Sequence, residues 1–144
     1  LAFAVAAGLG EEAGWRGAAL DLWQARTRPV FAALAVRAFW ALWHLPLYFI
    51  EGTYQHGLGL GFTRFWLTNL VLVGLALLYA WLANGAGGSI LIVVLAHAGF
   101  NVFGEIVPRS TTGDVIALVS VAIAAVAVAA FTRGHLAFDR ARRG

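Results

Sequence analysis

Cysteine, methionine and lysine are all absent from this chain of 144 residues, and charge is scarce: ten basic residues, every one an arginine, against seven acidic ones. Without cysteine there is no disulfide scaffold, no thiolate zinc site and no cysteine nucleophile. The shortage of charge excludes more. Only 12% of residues are charged and 61% are hydrophobic, whereas ordinary soluble domains carry about 25% charged residues. Mean hydropathy is +0.81. A water-soluble fold of this size still exposes much of its surface and needs polar side chains to cover it. The composition therefore rules out a soluble globular protein, a disordered chain and a nucleic-acid module, and it indicates a membrane protein. The net charge of +3 is read as arginines that fix orientation and meet anionic lipid, not as the mark of an acidic partner. With no methionine at position 1 and an opening Leu1-Ala-Phe-Ala inside an apolar run, the chain is expected to be a C-terminal fragment of a longer protein.

What is present is a series of five apolar stretches, at about 1–10, 30–50, 65–82, 89–103 and 115–131. Roughly 20 mainly apolar residues are needed to cross the hydrocarbon core. The second, third and fifth stretches approach that length, the fourth is short, and the first is truncated. Pro29 suits the first turn of the second span. The glycine-rich run 51–61 predicts a loop, and 84–89 a tight turn pairing the third and fourth spans as a hairpin. Pro108 to Gly113 separates the fourth span from the fifth. The expected fold is all-α, a polytopic membrane helix bundle of about five spans. Its expected organisation is a core over 1–105, an additional transmembrane helix over 106–132 and a basic tail over 133–144. Arg26, Arg28, Arg133, Arg140, Arg142 and Arg143 fall on one side and Arg64 and Arg109 on the other, if every span crosses. The positive-inside rule then places the C-terminus in the cytoplasm of a multi-pass cell-membrane protein.

Ionisable groups inside membrane segments are costly and mark function by default. Three groups stand out: Glu11-Glu12-Ala-Gly-Trp-Arg16, His44 within Phe39-Trp-Ala-Leu-Trp-His-Leu-Pro46, and His97-Ala-Gly-Phe-Asn101. On a helix Glu12 and Arg16 share a face and can pair. Glu11 points about 100° away from Glu12, so the two carboxylates cannot have the same job. If Arg16 neutralises Glu12, Glu11 is left free to face a cavity and to act as a general base. The competing interpretation is an interfacial ion cluster. His97 and Asn101 project together from one turn, fit to stabilise an oxyanion, to bind metal, or to bridge helices. His44, beside two tryptophans, suits packing as well as chemistry.

The remaining polar residues read more plainly. Arg37 is expected to snorkel to the interface or to pair with Asp21. Glu51, Glu105 and Asp114 sit near span ends, where water solvates them. His56 and His135 fall in loop or tail, and Asn69 and Asn84 are single amides without an evident partner. No serine lies near either intramembrane histidine, which disfavours a serine mechanism. A glutamate pair, two histidines and an asparagine on three apolar segments can converge into one polar cavity, and that set suits hydrolysis of a carbonyl compound by activated water.

The pattern Glu-Glu-x-x-x-Arg, then a His four residues after an aromatic, then His-x-x-x-Asn, resembles the CPBP family of intramembrane endopeptidases, the CAAX-protease and bacteriocin-processing group also called the Abi family. The match runs from Glu11 to Asn101. It departs from the family at Trp40, where phenylalanine is usual, and altered packing is the expected consequence. The resemblance implies that Glu11 and His44 activate the attacking water, that His97 and Asn101 stabilise the oxyanion, and that Glu12 and Arg16 order the first motif. It also implies a peptide or protein substrate entering from the membrane or the cytoplasmic side, with C-terminal processing of a lipidated protein as one form. The family is often called metalloprotease, and zinc would take Glu11, His44 and His97. An H-E-x-x-H helix is absent, and a mechanism without cofactor is favoured. Two other roles remain on the table: a non-catalytic immunity or scaffold protein that binds through the same cluster, and a proton-coupled carrier.

Overall fold

The computed structural model describes residues 2–106 and 110–137, with the backbone alone for residues 2–4 and 105. Helix α1 (Ala2–Gly14) runs through a π-helical turn at Trp15–Ala19 into the short α2 (Leu20–Gln24). Helix α3 (Pro29–His44) follows, with Pro29 in its first turn, where a missing N–H costs nothing. Pro46 ends the α-helical turns, and Leu45–Phe49 tightens to a 3-10 helix. The glycine-rich loop holds one short helix, α4 (Tyr54–Leu58), whose start is capped by the Thr53 side chain accepting from the His56 amide. Then come α5 (Thr63–Gly85), α6 (Leu91–Ile106) and α7 (Thr111–Phe131), the last capped by Ser110. Residues 29–49, 63–85 and 111–131 are long and apolar enough to cross a membrane, and Leu91–Gly104 is a shorter apolar helix. Arg109, Pro108, Arg140, Arg142, Arg143 and the Glu105 side chain lie outside the described residues.

Helix α5 is the central column: it packs along α7 and α3 and touches α6 and the π-helical turn. The 84–89 turn does join α5 to α6, but α6 packs chiefly against α1, so the hairpin partners are not each other's main neighbours. The core is built of small and β-branched residues, among them Ala32, Ala33, Val36, Ala76, Ala80 and Val93, while Phe31, Leu42, Trp66, Ile92, Ile123 and Phe131 point outward. That inversion belongs to a bundle in lipid, where helices associate by close packing of small side chains and polar contacts. Gly74 marks the closest approach, since a Cβ there would lie 2.6 Å from Val121 Cγ1 on α7.

Polar contacts tie both ends. Arg64 Nε donates to Asp114 Oδ2 at 2.7 Å, joining the starts of α5 and α7; Asp114 is paired, not merely solvated. At the opposite end Asn84 exchanges hydrogen bonds with Gln24 at 3.1 Å and donates to the Leu136 carbonyl at 2.9 Å. The chain after α7 turns back through Arg133 and Gly134, both at positive φ, and buries Leu136 completely. Arg28 reaches the Arg133 carbonyl at 3.3 Å, so the loop after α2 and the end of α7 share a side. Thus α5 and α7 run parallel and pack directly on each other, while α6 runs back the other way against α1.

Gly74→Ala is expected to destabilise the bundle by about 1–3 kcal/mol through overpacking, and Val121→Ala in the same chain to restore most of the loss. Thermal unfolding in detergent followed by circular dichroism measures both; a double variant no more stable than Gly74→Ala alone would refute the contact.

Candidate active site

The first half of the site forms where α1 meets α6. Gly8 permits the meeting, because a Cβ at that position would lie 3.2 Å from the Val94 carbonyl oxygen on α6. One turn onward on each helix, Glu12 Oε1 accepts from His97 Nδ1 at 2.8 Å. The same oxygen accepts from Arg16 Nη1 at 2.9 Å, four residues along its own helix as the spacing predicts. Glu12 is wholly buried, and Arg16 and His97 nearly so. Tyr79 of α5 lies against both donors: the Arg16 guanidinium sits 5.2 Å from its ring centroid and the His97 ring 5.9 Å away. Glu12 Oε2 and the Tyr79 hydroxyl are buried with no hydrogen-bond partner among the described residues.

The second half forms against α3. A rotation of about 100° per residue turns Glu11 away from α6, and its Oε2 accepts from the Trp40 indole Nε1 at 2.6 Å. His44, one turn after Trp40, places Nδ1 3.0 Å from the Trp40 carbonyl oxygen. Its ring lies 4.0 Å from the Trp40 ring and 4.8 Å from that of Trp43, centroid to centroid. Glu11, Trp40 and His44 are each half-buried. Arg37 neither snorkels nor meets Asp21. It is buried, donates from Nη2 to Asn69 Oδ1 at 2.6 Å, and holds its guanidinium 5.1 Å from the Trp40 ring centroid. Asn69 is in turn tied to the Tyr48 hydroxyl at 3.3 Å and to the Phe65 carbonyl at 2.9 Å.

Against known proteins, the model of the type II CAAX prenyl endopeptidase Rce1-like family matches residues 1–103. The chain belongs to this Rce1-like family. CAAX prenyl protease 2 of Methanococcus maripaludis is 30% identical over an alignment of 103 residues that covers 67% of this chain and 36% of the relative. The chain therefore spans little more than a third of the length of that curated relative. No solved structure matches it.

In this Rce1-like chain the sequence-predicted residues fall into two groups, Glu12–Arg16–His97 and Glu11–Trp40–His44, with the adjacent glutamates as the junction. Asn101 stands one turn beyond His97 on the same face of α6, half-buried, and its amide engages no described side chain. Glu11 is not free, as the sequence led one to expect: the indole occupies one of its oxygens, and Trp40 contributes a donor where only altered packing was anticipated. Both histidines direct Nδ1 at an oxygen that only accepts, so Nδ1 carries the proton in each. Nε2 of a neutral ring is then a lone-pair acceptor, and Nε2 of an imidazolium is a donor. Glu11, His44 and His97 do not form a metal-binding set, since among the described residues no three His, Asp or Glu side chains are grouped to hold one ion. Sequence reasoning missed Tyr79, Tyr48 and Asn69. Tyr79 carries no local signal, being one aromatic in an apolar helix; Asn69, an amide within a span, was noticed but could not be matched to Arg37.

Glu12→Ala strands Arg16 as a buried cation and is expected to cost about 3–5 kcal/mol of stability. Glu11→Gln keeps an acceptor for the indole and is expected to cost less than about 1 kcal/mol. Melting temperatures of the two variants in detergent check the ordering, which fails if Glu11→Gln is the more damaging.

Proposed function

We propose that the chain carries the catalytic groups of an intramembrane endopeptidase that hydrolyses a peptide bond with activated water. The observation that supports this most directly is the orientation of the two histidines, each with Nδ1–H committed to a fixed acceptor. Such a commitment leaves Nε2 for the reaction. Neutral His44 accepts from the attacking water through Nε2, and Glu11 takes the proton on the oxygen that the indole leaves open. The water oxygen bonds to the scissile carbonyl carbon, whose oxygen becomes an oxyanion. His97, held through Nδ1 by Glu12, turns Nε2 toward that oxyanion and stabilises it as a donor when both ring nitrogens carry protons, joined by the Asn101 amide. Collapse breaks the C–N bond, and the proton held at Glu11 passes to the leaving amine. No step is routed through a metal, because the three candidate ligands are not grouped to hold one.

The family and the printed name of the relative support a prenylated or otherwise membrane-associated C-terminal peptide as substrate. A lipid chain lying between the helices would account for placing hydrolysis in a membrane. The side carrying Arg26, Arg28 and Arg133 is proposed to face the cytoplasm, with the C-terminus on that side. The catalytic portion is proposed to end near residue 105, with α7 an added span.

The test is cleavage of a farnesylated CAAX-type peptide by the full-length protein in detergent. Wild type is expected to cleave, and Glu11→Gln to lose at least about a thousandfold in kcat/KM while remaining folded, since it removes the base. Binding of the peptide by a wild type that does not cleave it would instead support the non-catalytic immunity or scaffold role. Cleavage is further expected to survive exhaustive chelation; loss on chelation with recovery on adding zinc would overturn the metal-free mechanism.

A further inference from the structure

The charges of the site balance only in part by direct contact. Glu12 has Arg16, but among the described residues Glu11 touches no cation and Arg37 touches no carboxylate. Arg37 is 6% exposed, and its one hydrogen-bond acceptor is a neutral amide. Its Nε and Nη1 are buried with no hydrogen-bond partner among the described residues. A buried cation kept in this way is costly and calls for a compensating role. The indole of Trp40 meets both Arg37 and Glu11. The guanidinium lies 5.1 Å from the ring centroid, and the ring's N–H meets the carboxylate at 2.6 Å.

We infer that Trp40 and Arg37 form a positioning unit for the water-activating pair, with the indole transmitting the arginine's charge to Glu11. This rests on the hydrolytic role proposed above and adds residues to it. A cation at the π system draws electron density from the ring and makes its N–H a stronger donor. The strengthened bond holds Glu11 by one oxygen and leaves the other directed to water. The same residue orients His44 twice, through its carbonyl at 3.0 Å and through its ring at 4.0 Å. Trp40 thus registers acid–base groups from two helices against each other, and one indole bridges positions 29 apart in the chain. Asn69, tied to Tyr48 and the Phe65 carbonyl, keeps the guanidinium beside the ring. Neither Trp40 nor Arg37 exchanges a proton with substrate.

Two measurements on the full-length protein in detergent test this. The first needs no activity: the 15N–1H resonance of the Trp40 indole is expected downfield in wild type, to move upfield in Glu11→Ala, and to move upfield by a smaller step in Arg37→Gln. Arg37→Lys, which keeps the charge, is expected to recover part of that step, and Asn101→Ala to leave the resonance in place. The second is kinetic. Trp40→Phe keeps a ring and loses the donor, and is expected to lower kcat about 10- to 100-fold with KM changed less than about threefold. Arg37→Gln is expected to lower kcat about three- to tenfold, with partial rescue by Arg37→Lys. An indole resonance insensitive to Glu11→Ala, or a Trp40→Phe enzyme with wild-type kcat, would overturn the inference. If wild type cleaves no peptide, the hydrolytic reading falls, and the indole resonance alone then decides whether the clamp exists.

Discussion

One carboxylate oxygen, Oε1 of Glu12, sets the arrangement of the helices around the site. It is completely enclosed and accepts from Arg16 on its own helix and from His97 on α6. A carboxylate out of water is tolerable only when paired and hydrogen-bonded, so α1 and α6 must meet at this depth and rotation. Gly8 makes the approach sterically possible one turn earlier, against the Val94 carbonyl. With Glu12 committed to α6, the 100° step of the helix sends Glu11 to another neighbour, and that neighbour is α3. Two adjacent residues of like charge therefore turn to different helices, one enclosed against α6 and the other half-buried against α3.

Much of this was legible in the sequence where the signal is one-dimensional. The spans follow from runs of apolar residues, Pro29 marks a helix start, and the Glu12–Arg16 pair follows from a spacing of four. Contacts between helices were not legible to the same degree. Asn69 and Asn84 were seen as isolated amides, yet they meet Arg37 and Gln24 respectively. The pairing depends on how α5 is rotated about its axis, and a helix that is apolar all round carries no periodic pattern to reveal that rotation. Arg37 was expected at the interface because a long cationic side chain can reach water from a shallow position. It stays buried because Asn69 and the Trp40 ring hold it inside. At position 40 the sequence shows an aromatic; which edge of the indole faces Glu11 is decided by the packing of α3 on its neighbours.

Stability and chemistry draw on different parts of the polar inventory. In lipid, apolar surface provides no drive for helices to associate, so small residues in close contact and polar ties bear that task. The ties lie at the two ends of the bundle: Arg64–Asp114 at the starts of α5 and α7, and the Gln24–Asn84–Leu136 set at the other. Between these ends α5 is a fixed column, and α3, α6 and the π-helical turn lean on it. The groups in the interior are graded by burial. Glu12, Arg16 and His97 are enclosed and meet at one carboxylate oxygen, whereas Glu11, His44 and Asn101 are half-buried. The second set is the more open to water. In the proposed mechanism the attacking water is therefore drawn to the Glu11–His44 side, and on the more enclosed Glu12 side the lower dielectric strengthens the fixed charges that face the developing oxyanion.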